Sequence, residues 1–580
     1  VSAVTPSGPG ITAAGGDATG PAPLNLQSQL VQQRGGSRQR LESLAIFVSF
    51  GVAYGLLGYW LVVHQKVVTF DSLQRLSNAY LAWHGVPPKL AAIGFSLPPL
   101  QSIVLLPFTI ISSMATSLIA LPISSAVFGG LTMVAFNRLL DRCDFPAVLR
   151  YPLILLIGLV PTLAFYASGG GAEMISLFLL TGAVSSLIAW FRTVDTRFLI
   201  TSAIAFSFAV MADYGNIIYL LLAGAMVATV LARHGADDAE VEGSMITYMA
   251  PAFYAVALWC LINWLIVSSP FGWIDEASQA TVNIAASHLP AHSASLVRAF
   301  ADSLRLALNA APLSLVIAPA LIAVAVVQRN ELAGWLAAFT IVAIFRPGAE
   351  AMLHSNIADL QMNLSPPQIL MAVTGAAWIY QSFPDARSLI GGLLAVGLVA
   401  TVVVVWHGTA TYPYQNMEQA FHGAIADSGT KPQSSRGGYS VGVTQETQMA
   451  DEIRAHVHAS DAILTDNSQT YGVVLLSKEP RLFRTRLSSG GGGVFSADVR
   501  NPTRAIEYFL IAYRDPSDAL HKAYPTAVSG NLAGLTVVFK DARYALVSVA
   551  PGTSQKNIMA AKHPKAAPLP DQIVSTVDTK

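Results

Sequence analysis

The first residues able to do chemistry stand in the segment His64 to Lys89, HQKVVTFDSLQRLSNAYLAWHGVPPK. Leu73, Leu76, Tyr80 and Trp83 recur there at steps of three and four, while Asp71, Arg75, Asn78 and Ala82 fall on the opposite side. That spacing predicts an amphipathic helix with aromatic anchors, lying in the plane of a membrane interface. Asp71 has two readings. As a general base it would take the proton of an attacking hydroxyl. As a helix cap it would accept from the free N–H groups of the first turn and pair with Arg75, four residues on.

Other candidates are spread along the chain. Glu173 heads an apolar run, where it could bind an acceptor or orient Asp71, or only start a helix at the favourable end of its dipole. Asp213 and Tyr214 fall at the tip of a short predicted helical hairpin, ADYGN. An acid facing lipid is expensive, so Asp213 must face a cavity or reach the headgroups. Arg346 and His354 fall in a predicted outer loop, FRPGAEAMLHSNIADLQMNLSPP. With Arg75 they are the cations available to a phosphate. Arg346 also reads as a snorkelling anchor, and His354 as a plain loop histidine. Asp275 and Glu276 adjoin in GWIDEAS. They could hold a divalent cation or an acceptor sugar, or simply be solvated. No cluster has the ligand spacing of a strong metal site, so a divalent cation is the only cofactor these acids leave open.

Composition describes the elements that must position these residues. Of 580 residues, 53% are hydrophobic and 12% charged, and the mean hydropathy is +0.51. Soluble chains carry roughly 25% charged residues, so this chain needs lipid as a solvent. Its 34 Lys and Arg balance 34 Asp and Glu, which leaves no net charge to recruit nucleic acid. Cys143 and Cys260 make neither a disulfide framework nor a zinc site.

Spans of about 20 residues are predicted at about 44–63, 116–137, 148–168, 173–191, 198–212, 216–232, 246–267, 303–327, 332–346, 367–383 and 388–406. Residues 1–43 are rich in Gly, Pro, Ser and Gln and read as a disordered tail. The tail ends in Arg34, Arg38 and Arg40. Arg138, Arg142, Arg192, Arg197, Arg233, Arg329 and Arg387 fall on the same side, which predicts a cytoplasmic N-terminus and an extracytoplasmic C-terminus. The first apolar run is too long and too late for a cleaved signal.

After Trp406 the chain turns polar. Residues 407–580 predict an extracytoplasmic α/β domain, with strands in AILTD, YGVVLL, AIEYFLIAY, LTVVF and YALVSV and a helix in TQETQMADEIRAHV. SSGGGGVF is not followed by Lys-Ser or Lys-Thr, so it reads as a flexible loop rather than a phosphate cradle. No internal repeat points to a transporter built from inverted halves.

HGVPPKLAAIGFSLPPLQSIVLLPF follows the opening helix and makes an unusually long link, about fifty residues, between the first two spans. This order resembles the GT-C class of membrane glycosyltransferases, which includes protein O-mannosyltransferases, lipid A aminoarabinose transferases and mycobacterial cell-wall arabinosyl- and mannosyltransferases. The similar elements are Asp71, AYLAWHGVP and LPPL (Leu97 to Leu100), then FYASGGGAEMISLFLL with its Glu173, then INWLIVSSPFGWIDEAS. They cover residues 44–406. The chain departs from the class where Ser72 follows Asp71 in place of Glu. It departs again where Asp213-Tyr214 replaces an Arg or Lys near a Tyr.

The resemblance implies a polytopic α-helical membrane fold of about eleven spans with a C-terminal extracytoplasmic α/β domain. It implies a polyprenyl-phosphate-linked sugar as donor and a cell-envelope glycan, lipid or protein as acceptor, at the outer face of the cytoplasmic (inner) membrane. Asp71 would then be the base, with Arg346, His354 and Arg75 at the donor phosphate. Glu173, Asp213, Tyr214, Asp275 and Glu276 would line the acceptor side. Two other classes stay open: a transporter, and a non-catalytic scaffold that binds a polymer or partner.

Overall fold

A computed structural model describes residues 36–94, 98–267, 269–271, 295–354, 360–413, 417–426, 443–485, 492–514, 518–529, 532 and 534–555. Among the described residues, seven helices are long and apolar enough to cross a membrane: Gln39–His64, Ala120–Arg142, Glu173–Thr193, Tyr214–Arg233, Asp238–Ile266, Glu331–Met352 and Pro384–Thr411. Two bent pairs raise this to nine, Ala147–Gly158 with Pro161–Gly169 (68°) and Leu296–Ala310 with Pro312–Val327 (110°). In each pair the second half opens on a proline, whose missing N–H breaks the ladder while its fixed φ suits a first helical turn. Thr196–Ala212 and Pro366–Ser382 are shorter, at 17 residues each. Every predicted span falls on one of these helices or pairs.

Burial separates centre from periphery. Ala120–Arg142 and Glu173–Thr193 are 78% buried in their apolar windows, against 17% for Asp238–Ile266, so the first two form the middle of the bundle and the third faces lipid. Small residues let the central helices close up. A Cβ on Gly58 would stand 2.5 Å from the Ser168 carbonyl oxygen, and one on Gly129 would stand 2.8 Å from both Ala167 and Tyr54.

The first helix begins at Gly36, inside the stretch predicted as a disordered tail. Glu42 is held there by Asn137 Nδ2 (2.9 Å) and by the buried Arg150, which also donates to Asp141. Residues 1–35 lie outside the described residues. Other arginines gather at the same end. Arg142 donates to Ser185 Oγ (2.8 Å), Arg192 to the Arg142 carbonyl, and Arg233 and His234 contact Glu331 (3.4 and 3.2 Å). The helix Glu173–Thr193 carries Arg192 at this end and Glu173 at the other. Its 21 residues separate the two ends by about 30 Å at 1.5 Å per residue.

The C-terminal domain holds a five-stranded sheet of β1 (Ile463–Thr465), β2 (Phe483–Arg484), β3 (Tyr508–Ile511), β4 (Leu535–Lys540) and β5 (Ala545–Val549), in the order β2-β1-β3-β5-β4. β1 runs parallel to β2 and β3, and β5 is antiparallel to β3 and β4. The predicted strand YGVVLL is instead part of the helix Asn467–Ser477. A parallel β1–β2 pair requires a crossover, and this helix supplies it. Val473 and Val474 are fully buried against the sheet side. A short run that is apolar throughout has no period to tell helix from strand. In the glycine run, Gly492–Arg500 is helical, and residues 486–491 lie outside the described residues.

Candidate active site

The helix Phe70–His84 is capped by Thr69, whose Oγ1 accepts from the Ser72 N–H at 3.1 Å. Asp71 is therefore not the cap. It stands exposed in the first turn, and the expected Asp71–Arg75 ion pair is not formed among the described residues. Nor does the helix lie free in an interface. Leu73, Leu76 and Tyr80 are buried as the pattern required, but Arg75, Asn78 and Ala82 on the opposite side are buried too. Ser77 Oγ donates to the Tyr471 carbonyl of the C-terminal domain (2.9 Å), Asn78 Nδ2 to the Ile93 carbonyl (3.1 Å), and Thr109 Oγ1 to the Ala79 carbonyl (3.1 Å). The side that reads as polar carries Asn78 and Ala82, small enough to admit a second packed layer. Trp83 remains exposed, with Nε1 bonded to the Leu106 carbonyl at 3.0 Å.

Arg75 is 6% exposed, and its Nε and Nη1 have no hydrogen-bond partner. Leaving two buried guanidinium nitrogens without hydrogen bonds is costly, since their desolvation is not repaid. Its charge reaches Glu173 and Tyr214. Glu173 opens its helix and folds back on Gly171, where a Cβ would meet Oε2 and push the carboxylate aside. That Oε2 is enclosed and unpartnered. Asp71 and Glu418 also act electrostatically on Glu173, and Glu418 accepts from the Tyr166 hydroxyl.

The hairpin tip forms as predicted. Asp213 Oδ1 accepts from the Gly215 N–H at 3.0 Å and turns the chain between Thr196–Ala212 and Ile217–Arg233. The Tyr214 hydroxyl accepts from Trp259 Nε1 at 3.1 Å. Arg346 is not in a loop but in the helix Glu331–His354, which continues through Pro347. Ser303 Oγ takes the Gly348 N–H at 2.9 Å, the kind of side-chain compensation that lets a membrane helix carry a proline. The Arg346 guanidinium is fully engaged. Nη2 donates to both Asp213 oxygens (3.0 and 2.8 Å), Nη1 to Asn216 Oδ1 (3.1 Å) and Nε to Glu350 Oε1 (2.6 Å). Asn216 Nδ2 donates in turn to Ser176 Oγ (2.8 Å), three residues after Glu173.

One end of the bundle therefore collects Asp71, Arg75, Glu173, Tyr214, Asp213 and Arg346. His354 closes its helix, and its side chain lies outside the described residues, as do Asp275 and Glu276. Sequence reasoning missed Glu418, Asn216, Trp259 and Glu350. Only Glu350 had a local signal, four residues after Arg346. A half-open cleft of about 520 Å³, lined by Arg233, Arg329, Glu331 and Trp335, lies at the arginine end and not at this site. Among the described residues no three His, Cys, Asp or Glu side chains are placed to hold a metal ion.

The polytopic helical bundle with its C-terminal α/β domain has a GT-C-like fold, by its likeness to a solved structure. The crystal structure of ArnT from Cupriavidus metallidurans bound to undecaprenyl phosphate is similar to it, with a TM-score of 0.52 and 13% identity over 86% of this chain and 97% of that chain. The apo state of ArnT from the same organism aligns over the same shares with a TM-score of 0.40 and 12% identity. No protein-family model and no curated protein matches the chain.

Proposed function

We propose that the protein is an integral membrane glycosyltransferase. It moves a sugar from a polyprenyl-phosphate donor to a cell-envelope glycan, lipid or protein at the outer face of the cytoplasmic membrane. What carries the proposal is the buried Arg75, whose Nε and Nη1 have no hydrogen-bond partner and whose charge acts on Glu173 and Tyr214. A cation held in that state is matched by an anion that arrives with the substrate, and a phosphate accepts from its planar fork of donors. The ArnT structure, similar in fold, holds undecaprenyl phosphate.

The reaction follows from these groups. The acceptor hydroxyl gives its proton to Asp71, and its oxygen forms a bond to the anomeric carbon. The bond from that carbon to the phosphate oxygen breaks, and the lipid phosphate leaves with the electron pair. Arg75 donates to the oxygens on which negative charge grows. Glu173 binds the acceptor or steers Asp71. Arg346, occupied by Asp213 and Glu350, supports the hairpin tip and its Tyr214 rather than the phosphate. The positive-inside rule reads the arginine-rich end as cytoplasmic, which supports a site at the outer surface, where a lipid-borne donor stays in the bilayer.

Purified protein is offered a panel of radiolabelled polyprenyl-phosphate sugars and a crude envelope acceptor extract, with wild type beside Asp71→Asn. Transfer by wild type that disappears in the folded variant supports the reading. Transfer that survives the substitution removes Asp71 from the mechanism. No transfer from any donor defeats the enzyme reading and leaves a scaffold.

A further inference from the structure

The C-terminal domain meets the helix Phe70–His84 along one face, at Phe70, Leu73 and Ser77, spaced three and four residues apart. Arg543, in the turn between β4 and β5, places its guanidinium carbon 4.1 Å from the centre of the Phe70 ring. Phe70 directly precedes Asp71. Arg543 Nη1 also donates to Glu446 Oε1 at 3.2 Å, and the Tyr544 hydroxyl donates to the same oxygen at 2.9 Å. Glu446 is fully buried, and its Oε2 has no partner. At Gly472 a Cβ would stand 2.8 Å from Cγ of Glu446 and 2.9 Å from Cδ2 of Leu73. Domain and helix therefore meet with no room for another side chain. Ser77 Oγ closes the face on the Tyr471 carbonyl at 2.9 Å.

We propose that the C-terminal domain positions Asp71. The Arg543–Glu446 pair, seated on the Phe70 ring, fixes the first turn of the helix, the turn most prone to fray. Glu446 holds the guanidinium in place, and the guanidinium holds the ring through its attraction to the π face. Arg543 and Glu446 are positioning residues that never touch the substrate. The inference rests on the reading of Asp71 as the base. A misplacement of about 1 Å can cost on the order of 100-fold in rate, so the clamp acts on kcat rather than on donor binding.

The test uses the full chain in lipid nanodiscs, with a nitroxide on Asp71→Cys and with Cys260→Ser; Cys143 is buried. Arg543→Ala should sharpen the nitroxide spectrum, and Arg543→Lys, which keeps the cation, should largely restore it. Phe70→Leu, which leaves the Arg543–Glu446 pair intact, should mobilise the same label. Arg481→Ala, at an exposed ion pair with Glu479 on the same domain, should change nothing. With native Asp71 and a radiolabelled polyprenyl-phosphate sugar, Arg543→Ala should lower kcat by about 10- to 100-fold and leave donor KM within about twofold. An unchanged spectrum in both Arg543→Ala and Phe70→Leu overturns the proposal, as does wild-type transfer by Arg543→Ala. A mobilised label, together with a native Asp71 protein that transfers no sugar, keeps the clamp and defeats the enzyme reading on which the role of Asp71 rests.

Discussion

Arg346 holds both carboxylate oxygens of Asp213 with one nitrogen, Nη2, at 3.0 and 2.8 Å, across 133 residues of chain. The same guanidinium reaches Glu350 and Asn216. The hairpin tip that carries Tyr214 is thus tied to a helix near the other end of the membrane sequence. Asp213 puts an acid at that tip, and Arg346 provides the opposite charge from elsewhere in the chain.

Asp213→Ala should therefore destabilise the protein. Breaking a buried pair costs about 3–5 kcal/mol. The Asp213 side chain is 34% exposed and Glu350 remains, so about 2 kcal/mol is expected here. Thermal unfolding in detergent measures it. Arg346→Met added to Asp213→Ala should recover part of the loss, because it removes the stranded charge. An Asp213→Ala protein as stable as wild type would deny the pair a structural role.

Arg75 should behave in the opposite way. It is buried with unpartnered nitrogens, so Arg75→Met should leave stability unchanged or raise it. Undecaprenyl phosphate, used as the probe, should bind the variant about 10- to 100-fold more weakly, the worth of one or two bonds to a charged group. Native mass spectrometry reads the affinity. A variant that loses stability while keeping the lipid would make Arg75 a structural residue.

Glu446 gives the C-terminal domain a pH dependence of defined sign. Burial pushes its carboxyl above the ordinary value of 4.5, and the Arg543 charge only partly offsets this. The folded state thus holds a proton that the unfolded state has already released. Stability from this group is full below pH 4.5 and falls as pH rises from there through the raised value. Burial raises the carboxyl of Asp541 as well, so it adds a slope of the same sign. Glu446→Gln should flatten the decline between about pH 4.5 and neutrality. Denaturant unfolding of wild type and variant across that range checks this, and parallel slopes would refute it.

Gly472→Ala should loosen the seam between domain and helix. The added Cβ has no space between Glu446 and Leu73, and overpacking of this kind costs about 1–3 kcal/mol. Hydrogen exchange should rise in Phe70–His84 and Asn467–Ser477, with the central bundle helices unaffected. Uniform exchange across the whole protein would mean that the contact does not set the local stability of the helix.

Much of the architecture was legible because lipid is a demanding solvent. It requires long apolar helices, and each predicted span lies on one. The three-and-four spacing after Asp71 marked a helix, and the short β-like runs after Trp406 marked β1, β3, β4 and β5. Asp71, Glu173 and the 213–214 tip stood out because acids are rare in such a chain. Partners and packing were not legible. YGVVLL is apolar on every side, and only the parallel pairing of β1 with β2 makes it a crossover helix. Asp71 looked like a cap until the backbone gave that place to Thr69. The pattern of the helix Phe70–His84 predicted one wet face, but Asn78 and Ala82 on it are buried, Asn78 against the Ile93 carbonyl and Ala82 in one cluster with Met449 and Ile453 from far along the chain. Local sequence determines which segments leave water and with what period. Which charges meet once they have left, as Arg346 meets Asp213 and Arg543 meets Phe70, is decided only by tertiary structure, because a buried charge is stabilised by neighbours in space and sequence distance places no limit on who they are.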